Sequence, residues 1–403
     1  MRPMRAHCLL MLLALSLLGQ TAPAAVRRGP AGRRVLIGFR SDTGPQTPEA
    51  RTSAVRQAGG VVHRSPRLVA MVSATLSEET IKTIRTRRDV AYVEDDIILY
   101  ALGQTVPWGV DRIDADRAWP NGNTGKGVKV ALLDTGIEST HPDLVVAGGI
   151  NYAGSGKDGS TSPADWSDNH GHGTHVAGIV AARNNTSGVV GVAPDAVIWA
   201  VKVLGDEGTG YTSDIIQGLD WCTSNGIQVV SMSLGGAGTT SLQAACDRAY
   251  AKGVVLVAAA GNGGGSVTYP AAYSSVLAVS ATDAQDLRAS FSSFGPQIAL
   301  AAPGVNIYST YKGGTYANMS GTSMACPHVA GAAALAWASG LTSATAVRDQ
   351  LTTTAEDLGT KGFDASFGYG LVDAEKAAAG ENHNPSAGQH RRPGGGRAGD
   401  RGR

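Results

Sequence analysis

Residues 128–136 read Val-Lys-Val-Ala-Leu-Leu-Asp-Thr-Gly. From Val130 to Leu133 the run is apolar without alternation, and it ends on an acidic residue followed by a glycine. Successive side chains of a strand point to opposite faces. A strand that is apolar at every position therefore buries both faces, which is the mark of a parallel sheet covered on each side. Asp134-Thr135-Gly136 closes the run as a turn.

The same pattern recurs downstream. Val197–Val203, Val229–Met232, Val254–Ala258, Val276–Ser280 and Ile298–Ala301 read as further buried strands. Helix-compatible stretches lie between them at 173–182, 212–225, 240–252 and 323–338. Alternation of this kind predicts an α/β fold from residue 103 onward, with helices on both faces of a parallel sheet. Upstream the order changes. Residues 35–39 read as a strand, 48–58 as a helix, and 60–64 and 68–74 as strands. Ser77-Glu78-Glu79 opens a helix to about Arg87, and Val90–Glu94 reads as a strand. This βαββαβ order predicts a small ferredoxin-like α+β domain. A chain of 403 residues suits such a division into a small and a large domain. There is no internal repeat.

Composition adds compartment and charge. Hydrophobic residues make up 42% and charged ones 17%, which excludes a mainly disordered chain. Arg2 and Arg5 precede an apolar stretch, Leu9 to Leu18, too short to span a bilayer, and Ala22-Pro23-Ala24 supplies small residues. Residues 1–24 are expected to be a signal peptide cut after Ala24 or Ala25, so the mature protein is expected to be secreted and extracellular. Cys8 leaves with it. Cys222, Cys246 and Cys326 remain; Cys222 and Cys246 fall in successive predicted helices, which leaves open either a disulfide or burial as small apolar side chains. Residues 26–102 carry a net charge of +5 and residues 103–380 one of −9, so the two segments are expected to attract. Residues 381–403, rich in Gly, Arg and Pro, are expected to form a disordered basic tail.

Three segments carry chemistry. Asp134 stands at the carboxyl end of a parallel strand, where such folds bind ligands. His172 lies in Asn-His-Gly-His-Gly-Thr-His-Val-Ala-Gly, at the start of a helix that can hold an imidazole rigidly. The three histidines do not have zinc spacing: there is no His-Glu-x-x-His and no further cysteine or histidine pair. Ser323 lies in Gly-Thr-Ser-Met-Ala-Cys-Pro-His-Val-Ala-Gly, a turn of small residues leading into an apolar helix. Singly, each has a bland reading as turn residue or cap. Together they stand in the chain order Asp, His, Ser, which is the order of the subtilisin triad. A hydroxyl needs a base, imidazole is that base near neutral pH, and a carboxylate fixes its tautomer. Asn262, in Gly261-Asn262-Gly263 after the strand ending at Ala258, adds an amide that can donate to a developing oxyanion.

On these four segments the chain resembles the subtilisin family of secreted serine proteases, over about residues 33–380. The resemblance implies catalytic roles for Asp134, His172 and Ser323 and an oxyanion role for Asn262. It implies an α/β/α sandwich on a seven-stranded parallel sheet. It also implies that residues 26–102 are an inhibitory propeptide and that residues 103–380 are the peptidase domain. Gly208-Thr209-Gly210 and Ser233-Leu234-Gly235 resemble the segments that flank an extended peptide, implying backbone pairing and broad specificity. Thr268 resembles the floor of the primary pocket. The implied self-cleavage lies between Leu102 and Gly103, with Leu99 three residues upstream, so large apolar residues are expected before the cut. Gln104, Asp143 and Asn185 with the carbonyls of Arg183, Ser187 and Val189 resemble the family's calcium ligands, implying a structural Ca²⁺. The expected partners are polypeptide substrates and the chain's own propeptide as inhibitor. No nucleic acid or, after signal removal, membrane is expected, and the protein is expected to be a monomer. Three other readings compete: an inactive scaffold, a metal hydrolase using the histidine cluster, and an acid-active relative. The occupied catalytic positions, the spacing and His172 itself argue against them in turn.

Overall fold

The computed structural model describes residues 32–96, 103–153 and 162–380, in two compact units. The expected signal peptide, the Leu102–Gly103 junction with Leu99, and the tail beyond Gly380 rest on residues outside these.

The N-terminal unit runs β1 (Arg33–Phe39), α1 (Pro48–Gln57), β2 (Val61–Arg64), β3 (Met71–Leu76), α2 (Glu78–Arg85) and β4 (Val90–Asp95). The strands form one antiparallel sheet in the order β2-β3-β1-β4. Its small core joins Val35 and Ile37 of β1, Val72 and Ala74 of β3, Val55 of α1, and Ile81 and Ile84 of α2. Both helices start on side-chain caps, Thr47 accepting from the Ala50 N–H and Ser77 from the Thr80 N–H.

In the C-terminal unit two short helices, α3 (Trp108–Arg112) and α4 (Ala115–Ala118), lead through a 3-10 turn into β5 (Lys129–Asp134), β6 (Val146–Asn151) and α5 (His172–Ala181). There follow β7 (Val197–Lys202), α6 (Thr212–Ser224), β8 (Val229–Met232), α7 (Thr240–Ala251), β9 (Val255–Ala259), β10 (Leu277–Thr282) and β11 (Ile298–Pro303). The described residues continue into a hairpin, β12 (Ile307–Tyr311) and β13 (Thr315–Met319), then α8 (Thr322–Ala338), α9 (Ala344–Thr353) and α10 (Ala374–Ala378). The seven-stranded sheet is parallel throughout, in the order β11-β10-β9-β8-β5-β7-β6.

The unbroken apolar runs are explained by two cores. Val130 and Leu132 of β5 pack with α5 and α8 on one face; Ala131 and Leu133 pack with α6 and α7 on the other. The result is a three-layer α/β/α sandwich. Each fully buried Val, Leu or Ile contributes about 1.5–3 kcal/mol relative to exposure. Helix α8 is buried nearly all round and is made largely of alanine and glycine. Gly331 shows why: a Cβ there would come within 2.6 Å of Val192.

The edge strand β6 did not stand out in the sequence. Its Val-Ala-Gly-Gly-Ile-Asn has no apolar run, because Gly148 and Gly149 make room for the rings of Trp199 and Trp166. Cys222 and Cys246, on α6 and α7, are free thiols in one apolar core, as is Cys326 in the other, so burial rather than a disulfide accounts for them.

Candidate active site

Strands β7 and β8 flank β5, so the loops leaving them stand on either side of the end of β5, where Asp134 lies. Asp134 is 1% exposed. Its Oδ1 accepts the Thr135 N–H at 2.7 Å and meets His172 Nδ1 at 2.7 Å. A carboxylate can only accept, so Nδ1 carries the proton and Nε2 is left as the acceptor. His172 is the first residue of α5 and 16% exposed. Burial works against its imidazolium. The Asp134 charge and hydrogen bond, with a lesser contribution from Asp168, outweigh burial and hold the ring above its ordinary value. Gly173 is what lets the helix approach: a Cβ there would lie 2.1 Å from the Gly136 carbonyl oxygen and 3.2 Å from Asp134.

A second carboxylate holds this loop, and sequence reasoning missed it. Asp168 is buried. Its Oδ1 accepts the Thr135 hydroxyl (2.8 Å) and the N–H groups of His170 (3.1 Å) and Gly171 (2.8 Å). Its Oδ2 accepts the Thr174 N–H (2.8 Å) and hydroxyl (2.6 Å). Thr135 in turn accepts the Gly173 N–H at 2.9 Å. One carboxylate thus ties the turn after β5 to the start of α5. The signal was an Asp four residues ahead of a helix start, in the zone where acidic caps satisfy free N–H groups. Lys202, 1% exposed at the end of β7, supports the same turn by donating to the Thr135 carbonyl at 2.7 Å.

Ser323 is the second residue of α8, which packs against α5. Pro327, four residues on, has no N–H, so the Ser323 carbonyl loses its helical donor. The Ser233 hydroxyl replaces it, at 2.7 Å. The Ser323 hydroxyl donates to the Ser233 carbonyl at 3.3 Å, and no hydrogen bond joins it to His172. Asn262 follows β9. Its Oδ1 accepts the Thr322 N–H at 2.8 Å and hydroxyl at 2.9 Å. Because the Thr322 N–H can only donate, the amide's other atom is the nitrogen, which remains a donor. A Cβ at Gly321, two residues before Ser323, would lie 3.4 Å from that nitrogen.

The loop after β7 carries Gly208, Thr209 and Gly210, closed by the Gly205 N–H donating to the Thr209 carbonyl at 2.9 Å. The loop after β8 carries Ser233, Leu234 and Gly235, and Gly236 pairs with Tyr269 in an antiparallel bridge. Thr268 sits between two glycines. A Cβ on Gly235 would meet its Oγ1 at 2.4 Å, and one on Gly261 its Cγ2 at 2.9 Å. The three histidines of the His172 segment go separate ways: His175 turns its Nε2 to the carbonyls of Ile307 (3.1 Å) and Ala317 (3.0 Å). Its ring is pushed down to about 4 by burial.

A separate group of oxygens gathers on Gln104. Its Nε2 lies 2.5 Å from the Arg183 carbonyl, 3.1 Å from that of Val189 and 3.5 Å from that of Ser187. Its Oε1 accepts the Asn185 N–H at 3.0 Å, and Asn185 Nδ2 donates to Asp143 Oδ1 at 2.9 Å. An NH₂ group has two hydrogens and cannot satisfy three converging carbonyls. Such an excess of acceptors fits a hard cation. Among the described residues no group of three or more His, Cys, Asp or Glu could hold a metal, so this set consists of neutral oxygens with one carboxylate. Among them, too, no helix is long and apolar enough to cross a membrane.

The model of the subtilase family matches residues 125–370. Subtilisin NAT of Bacillus subtilis subsp. natto is 42% identical over 380 residues, covering 91% of this chain and 97% of that protein. Subtilisin DY of Bacillus licheniformis is 50% identical over 282 residues, 68% of this chain and 99% of its own. An alkaline protease of Shouchella clausii is 47% identical over 317 residues, 77% of this chain and 79% of its own.

Proposed function

The chain belongs to the subtilase family and is a serine endopeptidase, and from that premise we propose that Asp134, His172 and Ser323 are its triad and Asn262 its oxyanion donor. The observation that carries this reading is the 2.7 Å contact of His172 Nδ1 with buried Asp134, which leaves Nε2 as a base. The Ser323 hydroxyl turns from the Ser233 carbonyl toward that nitrogen, gives up its proton and attacks the scissile carbonyl. The oxyanion takes hydrogen bonds from the Asn262 amide and the Ser323 N–H, at the positive end of α8. His172 passes its proton to the leaving amine, and water repeats the sequence on the acyl-enzyme.

Substrate lies extended between Gly208–Gly210 and Ser233–Gly235 and pairs through its backbone, so specificity is broad. The primary pocket prefers large apolar residues and has Thr268 at its floor. The N-terminal unit is a ferredoxin-like propeptide, residues 26–102, which inhibits the enzyme until it is cut after Leu102. Support comes from its βαββαβ order and the +5 against −9 charge division. The peptidase domain is residues 103–380, released outside the cell after signal removal and acting as a monomer. Gln104, Asp143, Asn185 and the carbonyls of Arg183, Ser187 and Val189 hold a structural Ca²⁺. The ion supplies charge to those oxygens and so stabilises the folded state by mass action.

Parallel expression of wild type and Ser323→Ala in calcium tests the whole reading. Wild type should lose its N-terminal unit, show a new terminus at Gly103 and cleave a peptide with Leu or Phe before the cut. The variant should stay full length. An intact, inactive wild type of proven fold would overturn it.

A further inference from the structure

The hairpin β12–β13 touches both the oxygen site and the loop of His172. On β13, Tyr316 Oη donates to Asp143 Oδ2 at 3.3 Å, beside the Val189 N–H on the same oxygen at 2.8 Å. The Tyr316 ring stands edge-on to His141, with centroids 5.2 Å apart. His141 Nε2 meets the Thr315 carbonyl at 2.8 Å, and the Asp143 N–H donates to its Nδ1 at 3.2 Å. Asp143 and the hairpin are thus linked twice, through Tyr316 and through His141.

On the facing strand β12, where Thr310 pairs with Tyr316, the hairpin is keyed to α5. Ser309 and Thr310 donate their hydroxyls to the carbonyls of His175 (2.8 Å) and Thr174 (2.7 Å). The Tyr311 hydroxyl donates to the His170 carbonyl at 3.3 Å, and a Cβ on Gly171 would come within 2.6 Å of its ring. Gly178 is as tight, since a Cβ there would meet Thr310 Oγ1 at 2.2 Å. The hairpin cannot slide without moving the residues on either side of His172. Close-packed contacts of this kind shift between discrete arrangements rather than deforming smoothly.

We propose that Tyr316 is a positioning residue that couples the oxygen site to His172 through this hairpin, so that cation binding at Asp143 and occupancy of the catalytic centre favour each other. The proposal rests on the calcium reading above. A bound cation fixes the Asp143 carboxylate, Tyr316 holds the hairpin to it, and the hairpin holds the loop that aims His172. Linkage makes the effect reciprocal: a ligand that orders the catalytic centre must tighten cation binding, and such tightening falls mostly in the rate of release.

The test reads calcium release rather than activity. The full chain, expressed and matured in calcium, is mixed with excess fluorescent chelator, with and without a peptide aldehyde that adds to Ser323. In wild type the aldehyde should slow release roughly 2- to 12-fold, the range one neutral hydrogen bond carries. Tyr316→Phe keeps the ring against His141 but loses the hydroxyl, and should lower the ratio, leaving only what the His141 link carries. Tyr311→Phe cuts the other end of the path and should lower the ratio as well, which keeps the test decisive if the first variant folds poorly. Tyr308→Phe is the control on the same hairpin and should leave the wild-type ratio. A wild-type ratio of one, or a full ratio kept in both Tyr316→Phe and Tyr311→Phe, would overturn the coupling while calcium binding stands. Absence of any released calcium would instead remove the calcium reading itself.

Discussion

The carboxyl edge of the seven-stranded sheet and the oxygen group around Gln104 are built alike, from loops that follow strands and helices, yet they are finished differently. At the edge the protein satisfies itself: Asp134 meets His172, Asp168 takes five hydrogen bonds, and Ser233 replaces the donor Pro327 removes. At Gln104 three carbonyls share one amide nitrogen. The first region is held together by protein atoms, with Asp134 Oδ2 the exception, buried without a hydrogen-bond partner among the described residues, and its changes should appear in kcat. The second has more acceptors than donors, and on the calcium reading its changes should appear in lifetime.

The sharpest way to break that contrast is Asp134→Asn. It keeps the shape but lets His172 take the wrong tautomer, and kcat should fall by about 10⁴ with calcium retention unchanged. Stopped-flow hydrolysis alongside calcium release checks both halves. Asn262→Ala should cost about 10²–10³ in kcat with little change in KM, as loss of one oxyanion donor does. Chelation should act the other way: with calcium at 100-fold its Kd, removal should cost about 2.7 kcal/mol of stability, read as a lower Tm. The rate per folded molecule should change only by what the hairpin transmits. Thr268→Gly should be the mildest, raising kcat/KM for Phe or Tyr relative to Leu before the cut by about 10-fold, the scale of small changes in an apolar pocket.

Acid separates the regions in a further way. His172 is held above its ordinary value, and as the proposed base it must be neutral to act. The acid limb of kcat/KM should therefore lie above about pH 6.5, the ordinary histidine value. Asp134→Asn should move that limb down. Stability has the opposite sign. Burial pushes His175 and His328 down to about 4. Their contribution to stability is complete above the unfolded value near 6.5 and is lost as pH falls through about 4. Activity should thus fail on acidification while the fold still holds. Thermal melts and pH–rate profiles on one preparation check this.

Much of this was legible in the sequence. The run ending at Asp134, the glycine-flanked His172 and the small-residue turn before Ser323 each carry their structure locally, and their order carried the rest. Strand limits moved by a residue, as from Val254–Ala258 to Val255–Ala259, because pairing with a neighbour sets where a strand stops. What stayed hidden depends on residues far apart in the chain. Strand β6 replaces apolar bulk by glycines that receive tryptophans from elsewhere. The hairpin β12–β13 alternates only partly, because its polar side chains Ser309 and Thr310 are buried against helix carbonyls. Asp168 was not singled out, because its partners Thr135 and Thr174 come to it only in the fold. The gathering of the Arg183, Ser187 and Val189 carbonyls on the Gln104 amide has no local pattern, and those residues were reached only through the family resemblance.

The central claim is that Ser323 is a nucleophile made reactive by His172. A fluorophosphonate carrying a mass tag tests it without reference to substrate or pocket. Mass spectrometry of the digested wild type should find one tagged serine, Ser323, and the tag should be lost in His172→Ala of native melting behaviour. A tag on another residue, or equal tagging of Ser323 in the His172 variant, would contradict the account.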